Sequence, residues 1–133
     1  MREILFRGKR VDNGEWAYGD YWHLPEKNFY CISDKEFNRK VDPETVGQFT
    51  GLTDKNGKKI FEGDIIKIIS DYDYPDDYRI SKVYVYNGVF CVDFRYYDFD
   101  STALAFLVDY IPDGDFEVIG KIHDNPELLE VKE

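Results

Sequence analysis

The sequence predicts a mainly β chain, all-β to α+β, built as a small, strongly bent antiparallel sheet with an N-terminal hairpin and a short C-terminal helix. Aromatic residues make up 17% of it, with 11 Tyr, 10 Phe and 2 Trp, and flat rings suit a half-buried pleated surface. Asn-Gly steps at 13–14, 56–57 and 87–88 supply the positive φ that tight turns between strands require. No strand–helix–strand alternation is visible, which argues against a doubly wound nucleotide-binding fold.

Residues 3–9 begin an extended segment, Asn13-Gly14 turns it, and 15–22 returns as the second strand. A short apolar run at 28–33 is followed by "DKEFNRKVDPE", 34–44, which reads as a polar surface connection. Residues 45–52 form a strand, 54–57 a turn, and Glu62-Gly63-Asp64 a bend that opens the strand 64–69. On that strand Lys67 shares a face with Ile65 and Ile69, so its ammonium must reach water or mark a sheet edge. Residues 70–78, broken by Pro75, read as a loop.

The strongest local signal is "VYVYNGVFCVDF", 83–94. A two-residue turn at Asn87-Gly88 sets Tyr86 opposite Val89, Val85 opposite Phe90 and Tyr84 opposite Cys91. Val83, Val85, Phe90, Val92 and Phe94 then form the face expected to meet the core. Tyr84, Tyr86 and Val89 lie on an amphipathic face expected to be covered by another element or by a second copy of the chain. Residues 101–111 carry both helix and strand signals, and Phe106 and Val108 favour strand. The last strand is 115–122, after which Asn125 and Pro126 start the short helix.

At 133 residues and 15.7 kDa the chain is expected to form one domain, in which a β segment, 1–43, packs on a core, 44–133, that closes like an SH3-type barrel. The net charge of −10 argues against direct binding of nucleic acid, whose phosphates call for a cationic surface. No apolar run is long enough for a membrane span, and the charged start "MREILFRGKR" does not resemble a signal peptide. A cytoplasmic protein is expected, with Cys31 and Cys91 as buried thiols, although sequence leaves a disulfide open.

Residues 51–66, "GLTDKNGKKIFEGDII", invite a test for chemistry. Five residues, not four, separate Gly51 from Gly57, and Lys59 stands where a phosphate loop needs a hydroxyl. Counted from Asp54 as a calcium loop, position six is Lys59 and position twelve Ile65, which lack the glycine and the bidentate carboxylate. As a turn the stretch satisfies every requirement: Asp54 can accept from the amides ahead of it and Asn56-Gly57 tolerates positive φ. His23, Cys31, Cys91 and His123 lack the short spacings of a zinc site, and no cysteine has the cationic neighbours that create a thiolate. No metal, cofactor or catalytic residue is assigned, and those four residues are the ones an enzymatic reading would need. The best binding candidate is the acidic tyrosine loop of Asp71, Tyr72, Asp73, Tyr74, Asp76, Asp77 and Tyr78, whose rings give rigid contact area and whose carboxylates suit a basic protein or a loose cation site.

Three blocks carry a resemblance: "ILFRGKRVDNGEWAYGD" near the start, "ETVGQFTGLTDKNGKKIFEGDII" at 44–66 and "FEVIGKIHDNPELLE" at 116–130. By these the chain resembles the YopX family of phage and prophage proteins, leaving 67–115 as individual sequence. The resemblance implies a mainly β, phage-derived protein of the bacterial cytoplasm, with no established activity and no catalytic residue to carry over. Phe49 and Phe61 stand where relatives often have tyrosine, so these rings are expected to pack and not to react. The functional expectation is a non-enzymatic interaction or assembly module, a homo-oligomer through Tyr84, Tyr86 and Val89, with a host or phage protein as partner. The alternative is an acidic DNA mimic that occupies a host nucleic-acid-binding protein through Asp71, Asp73, Asp76, Asp77, Asp98 and Asp100.

Overall fold

The computed structural model describes residues 3–71, 73–95, 100–111 and 115–129. Its contacts divide the chain into two compact units, Met1–Gly51 and Leu52–Glu133. Each unit has its own buried cluster, centred on Ala17, Ile32 and Val41 in the first and on Ile66, Ile68, Val92, Leu104 and Leu107 in the second.

The first unit contains β1 (Phe6–Arg10), β2 (Trp16–Leu24), β3 (Phe29–Ser33) and most of β4 (Asn38–Thr53). All pairings are antiparallel, and β1 bonds both β2 and β4, so the four strands close into a ring. The expected N-terminal hairpin is present: the Gly14 N–H donates to the Arg10 carbonyl at 3.0 Å, and Asn13 Oδ1 accepts from the Glu15 N–H at 2.9 Å.

The polar stretch 34–44 is not simply a connection. Asp34–Phe37 makes a tight turn, its Asp34 carboxylate accepting the Glu36 and Phe37 amides, and from Asn38 onward the chain is already β4, paired with β3 and then β1. The strand was hidden because, from Asn38 to Glu44, Val41 is the one buried side chain. Pro43 is accommodated where the β1–β4 register shifts. There the Thr45 hydroxyl accepts the Lys9 N–H at 2.8 Å and donates to the Asp42 carbonyl at 2.6 Å, supplying bonds the interrupted ladder cannot.

The second unit holds β5 (Lys59–Phe61), β6 (Asp64–Ile69), β7 (Tyr78–Lys82), β8 (Tyr84–Tyr86), β9 (Val89–Val92), β10 (Thr102–Ala103), α1 (Leu104–Tyr110) and β11 (Asp115–Lys121). After the turn that follows Thr53, β5 pairs back onto β4. Two three-stranded sheets follow, β11-β6-β7 and β10-β9-β8. Residues 78–86 are one nearly continuous extended run that pairs first with β6 and then with β9. At the changeover the Val83 N–H donates to the Asp64 carbonyl and the Val83 carbonyl accepts from Gly63, both at 2.8 Å. The SH3-type closure expected within 44–133 is not among the pairings of the described residues. The ring that does form lies in the first unit.

Two local expectations need correction. Tyr78 begins β7 and is not part of the preceding loop. Residues 104–110 are helix, preceded by only two strand residues. Helical spacing prevails there because Leu104 and Leu107, three apart, are both fully buried, while Phe106 and Tyr110, four apart, stack on the exposed side at 5.3 Å. The C-terminal helix is a single 3-10 turn, Pro126–Leu129. Asn125 does not cap it forward; its Oδ1 reaches back to accept the Lys121 N–H at 3.2 Å.

Lys67 sits in the central strand of its sheet, so it marks no edge. Its ammonium lies 4.5 Å above the Tyr78 ring, where the aromatic face offsets part of its lost hydration.

Candidate functional site

The stretch 51–66 is scaffold. Asp54 Oδ1 accepts the N–H groups of Asn56 and Lys58 at 2.9 Å each, and Oδ2 accepts that of Val118 in β11 at 3.0 Å. Burial pushes this carboxyl up, but the amides of Val118, Lys58 and Asn56 outweigh it and hold the group below the usual carboxylate range. Gly57 has the positive φ, +80°, that the turn requires. Asp64, fully buried, accepts the Phe61 N–H at 2.7 Å across the Glu-Gly-Asp bend. Phe49 and Phe61 are both buried.

The acidic tyrosine loop is built from turns nested in sequence. The Asp71 carboxylate accepts the Asp73 N–H at 2.9 Å, the Tyr74 N–H reaches the Asp71 carbonyl at 2.9 Å, and the Asp77 N–H reaches the Tyr74 carbonyl at 3.0 Å. Asp73, Tyr74, Pro75, Asp76 and Asp77 line an open depression of about 410 Å³. Tyr72 lies outside the described residues. Because Ile69 is paired with both Tyr78 and Asp115, the loop and the start of β11 occupy the same end of the sheet. Among the described residues, the Arg79 guanidinium is 3.7 Å from Asp77, and the Lys55 ammonium is 3.8 Å from both Asp115 and Glu117. Of the other acids expected in a mimic surface, Asp100 belongs to a separate segment and pairs with Arg95 at 3.3 Å, and Asp98 lies outside the described residues. Among the described residues no group of three or more His, Cys, Asp or Glu is arranged to hold a metal.

The hairpin of β8 and β9 has the register that its Asn-Gly turn predicts, Tyr84 with Cys91, Val85 with Phe90 and Tyr86 with Val89. Asn87 and Gly88 have φ of +51° and +77°. Its burial does not divide by face, however. At the base Val83, Val92 and Cys91 are buried on both faces, while at the tip Val85, Tyr86 and Val89 are 45%, 59% and 45% exposed. Distance from the tip, not the side of the strand, decides what is covered. Tyr84 is half-buried and turns its hydroxyl inward to Asp93 Oδ1, at 2.8 Å, and to Ser101. Burial and the Asp93 carboxylate raise its pKa. Tyr84 thus ties the hairpin to its surroundings, and Tyr86 and Val89 are the ones presented outward. Val85, assigned to the core by alternation, joins them.

The residues of an enzymatic reading are divided between the two units, His23 and Cys31 in the first and Cys91 and His123 in the second. Cys31 and Cys91 are free, buried and in different units, and burial raises the Cys31 thiol pKa. His23 is exposed and stacked between Tyr21, at 5.5 Å, and its cross-strand partner Tyr30, at 5.8 Å. Alternation along β2 and β3 was the available signal for this aromatic ladder. No helix among the described residues is long and apolar enough to cross a membrane.

Comparison with known proteins agrees with this architecture. An uncharacterized protein derived from the SPbeta prophage of Bacillus subtilis (strain 168) is 41% identical over 76 residues, which are 56% of this chain; the match spans about half, 52%, of that relative's length. Two solved structures share the fold, the crystal structure of protein yopX from Bacillus subtilis and that of a protein from Enterococcus faecalis. Each has a TM-score of 0.60 at 23% identity and covers 98% of this chain and 100% of its own. A model of the YopX protein family matches residues 5–130, nearly the whole length, and this chain belongs to the YopX family.

Proposed function

We propose that this chain is a phage- or prophage-encoded, cytoplasmic, non-enzymatic interaction module that assembles with further copies of itself through the β8–β9 tip. The prophage origin of its relative in Bacillus subtilis supports the first part. The observation that carries the second is the exposure of Val85, Tyr86 and Val89 together at the end of a hairpin whose base is tightly buried. Branched aliphatic and aromatic side chains presented together on a rigid two-residue turn are a surface that association would dry. The supporting result is a sedimentation mass above 15.7 kDa at micromolar protein that falls to the monomer in Tyr86→Asp and Val89→Lys. Wild-type protein that is monomeric throughout that range overturns the reading.

A second reading rests on a different observation. Up to Gly51 the chain carries eight Lys and Arg against nine Asp and Glu, and beyond it nine against eighteen. Nearly all of the net charge therefore lies in the second unit, with the loop of Asp71, Asp73, Asp76 and Asp77. That field suits a basic host protein, as in a DNA mimic. A host partner captured at low salt and released steeply as salt rises supports it. Capture unchanged in a variant with Asn at all four loop positions sinks it.

A further inference from the structure

Three Asn-Gly steps punctuate this chain, at 13–14, 56–57 and 87–88, and the structure treats them unequally. In the first, the Gly14 N–H donates to the Arg10 carbonyl at 3.0 Å while Asn13 Oδ1 accepts the Glu15 N–H at 2.9 Å. In the second, the Gly57 N–H donates to the Asp54 carbonyl at 3.0 Å, and the Asn56 N–H is held by the Asp54 carboxylate. Asp54 itself is anchored to β11. In the third, neither the Asn87 side chain nor the Gly88 N–H has a hydrogen bond to the described residues. All three glycines have open space where a Cβ would sit, so the hydrogen bonds make the difference. The strands leading to this turn are short, β8 having three residues and β9 four, and both residues next to the turn are exposed.

An asparagine followed by glycine can cyclise. The glycine amide nitrogen attacks the asparagine Cγ, its proton leaves with the side-chain nitrogen as ammonia, and a five-membered succinimide results. Water then opens the ring at either carbonyl and yields aspartate or isoaspartate, with no oxidant, metal or enzyme needed. The step requires the glycine nitrogen to be free to lose its proton and the backbone to leave its turn geometry. A hydrogen bond on that N–H opposes both. Fraying of the turn permits both.

We infer that Asn87 is a selective site of spontaneous covalent modification, reacting through Gly88 while Asn13 and Asn56 are protected. The product adds a negative charge at the hairpin tip. When isoaspartate forms, it also adds a backbone methylene, which breaks the match between a two-residue turn and the Tyr86–Val89 pair. The inference does not depend on the tip being an interface.

The experiment is incubation of dilute native protein in mildly alkaline buffer, followed by peptide mapping that separates asparagine, aspartate and isoaspartate at each site. A parallel sample is unfolded in urea. The expected result is reaction at Asn87 at least about fivefold faster than at Asn13 or Asn56, the protection that one backbone hydrogen bond of usual net strength confers. The three rates should converge in urea. Asn87→Gly, which keeps a turn tolerant of positive φ, should remove the acidic species that accumulates. Equal native rates at the three sites, or an Asn87 that stays intact in the native protein while reacting in urea, would overturn the assignment.

Discussion

Asp54 and Val118, sixty-four positions apart in sequence, are joined by a 3.0 Å hydrogen bond from the Val118 N–H to the Asp54 carboxylate. The other oxygen of the same carboxylate holds the turn that follows it. One buried side chain therefore fixes both a local bend and the position of β11. Asp54→Asn keeps the shape but replaces an acceptor oxygen by a donor, and should cost about 1.5–3 kcal/mol, the range for hydrogen bonds to a charged group. Because the folded pKa is depressed, this stabilisation is present above the ordinary carboxylate pKa and is lost as pH falls through that range and below it. Urea unfolding at neutral and acid pH should show the difference between wild type and Asp54→Asn shrinking on acidification. A difference that stays constant with pH would contradict it.

Glycines that differ in surroundings should differ in cost. A Cβ on Gly19 would lie 2.2 Å from the Ser33 carbonyl oxygen, a backbone atom of the neighbouring strand that cannot yield without opening the pair. A Cβ on Gly120 would lie 2.8 Å from Asn125 Oδ1 and Leu128 Cδ1, side-chain ends that can shift. Gly19→Ala should therefore be the worse of the two, with Gly120→Ala costing about 1–3 kcal/mol as overpacking. Thermal melts of both variants rank them, and the reverse order would show the close approach at Gly19 to be misjudged.

The helix at 104–110 makes a sharp contrast between neighbours. Leu107→Ala empties a fully buried position in the second core and should cost about 2–5 kcal/mol. Phe106→Ala, on the exposed side, should cost under about 1 kcal/mol through its stack on Tyr110. In an alternating strand, Phe106 and Val108 would share one face and Leu107 the other. Denaturation midpoints showing Phe106 as the costly position would restore that reading.

Tyr84 and Tyr86, two residues apart on one face, should separate structure from association. Tyr84→Phe removes the hydroxyl that Asp93 and Ser101 engage and should cost about 1 kcal/mol of stability without changing oligomeric mass. Tyr86→Ala should do the opposite. Stability and sedimentation measured on the same two samples test both statements.

The parts of this fold that sequence disclosed are those decided locally. Asn87-Gly88 determines a register because a two-residue turn leaves no freedom, and the Asp54 turn could be foreseen because its acceptor and donors lie within four residues. What escaped depends on distant chain. Residues 38–44 are polar because one side of β4 is solvated there, and only the pairing with β1 and β3 makes them strand. Val85 alternates like a core residue, yet the core ends at Val83 and Val92, and among the described residues the tip beyond them stays exposed. The acidic loop was recognisable from composition. Its position beside the start of β11 was not, since that follows from a ladder between residues far apart in the chain.

The same ladder has a consequence for chain length. β6 and β11 pair directly, Asp64 opposite Lys121 and Ile69 opposite Asp115, so the chain between them, which adds β7 to the other side of β6, runs between two ends that are already clamped. The entropy of closing such an excursion grows only with the logarithm of its length, about 0.6 kcal/mol for each doubling. Insertions at the exposed loop of residues 73–77 or at the turn of Asn87 and Gly88 would thus leave the clamp almost undisturbed. The two tips can lengthen or shorten while β7 and the buried Val83, Val92, Leu104 and Leu107 stay in place and Asp54, Asp64 and β11 hold the ends.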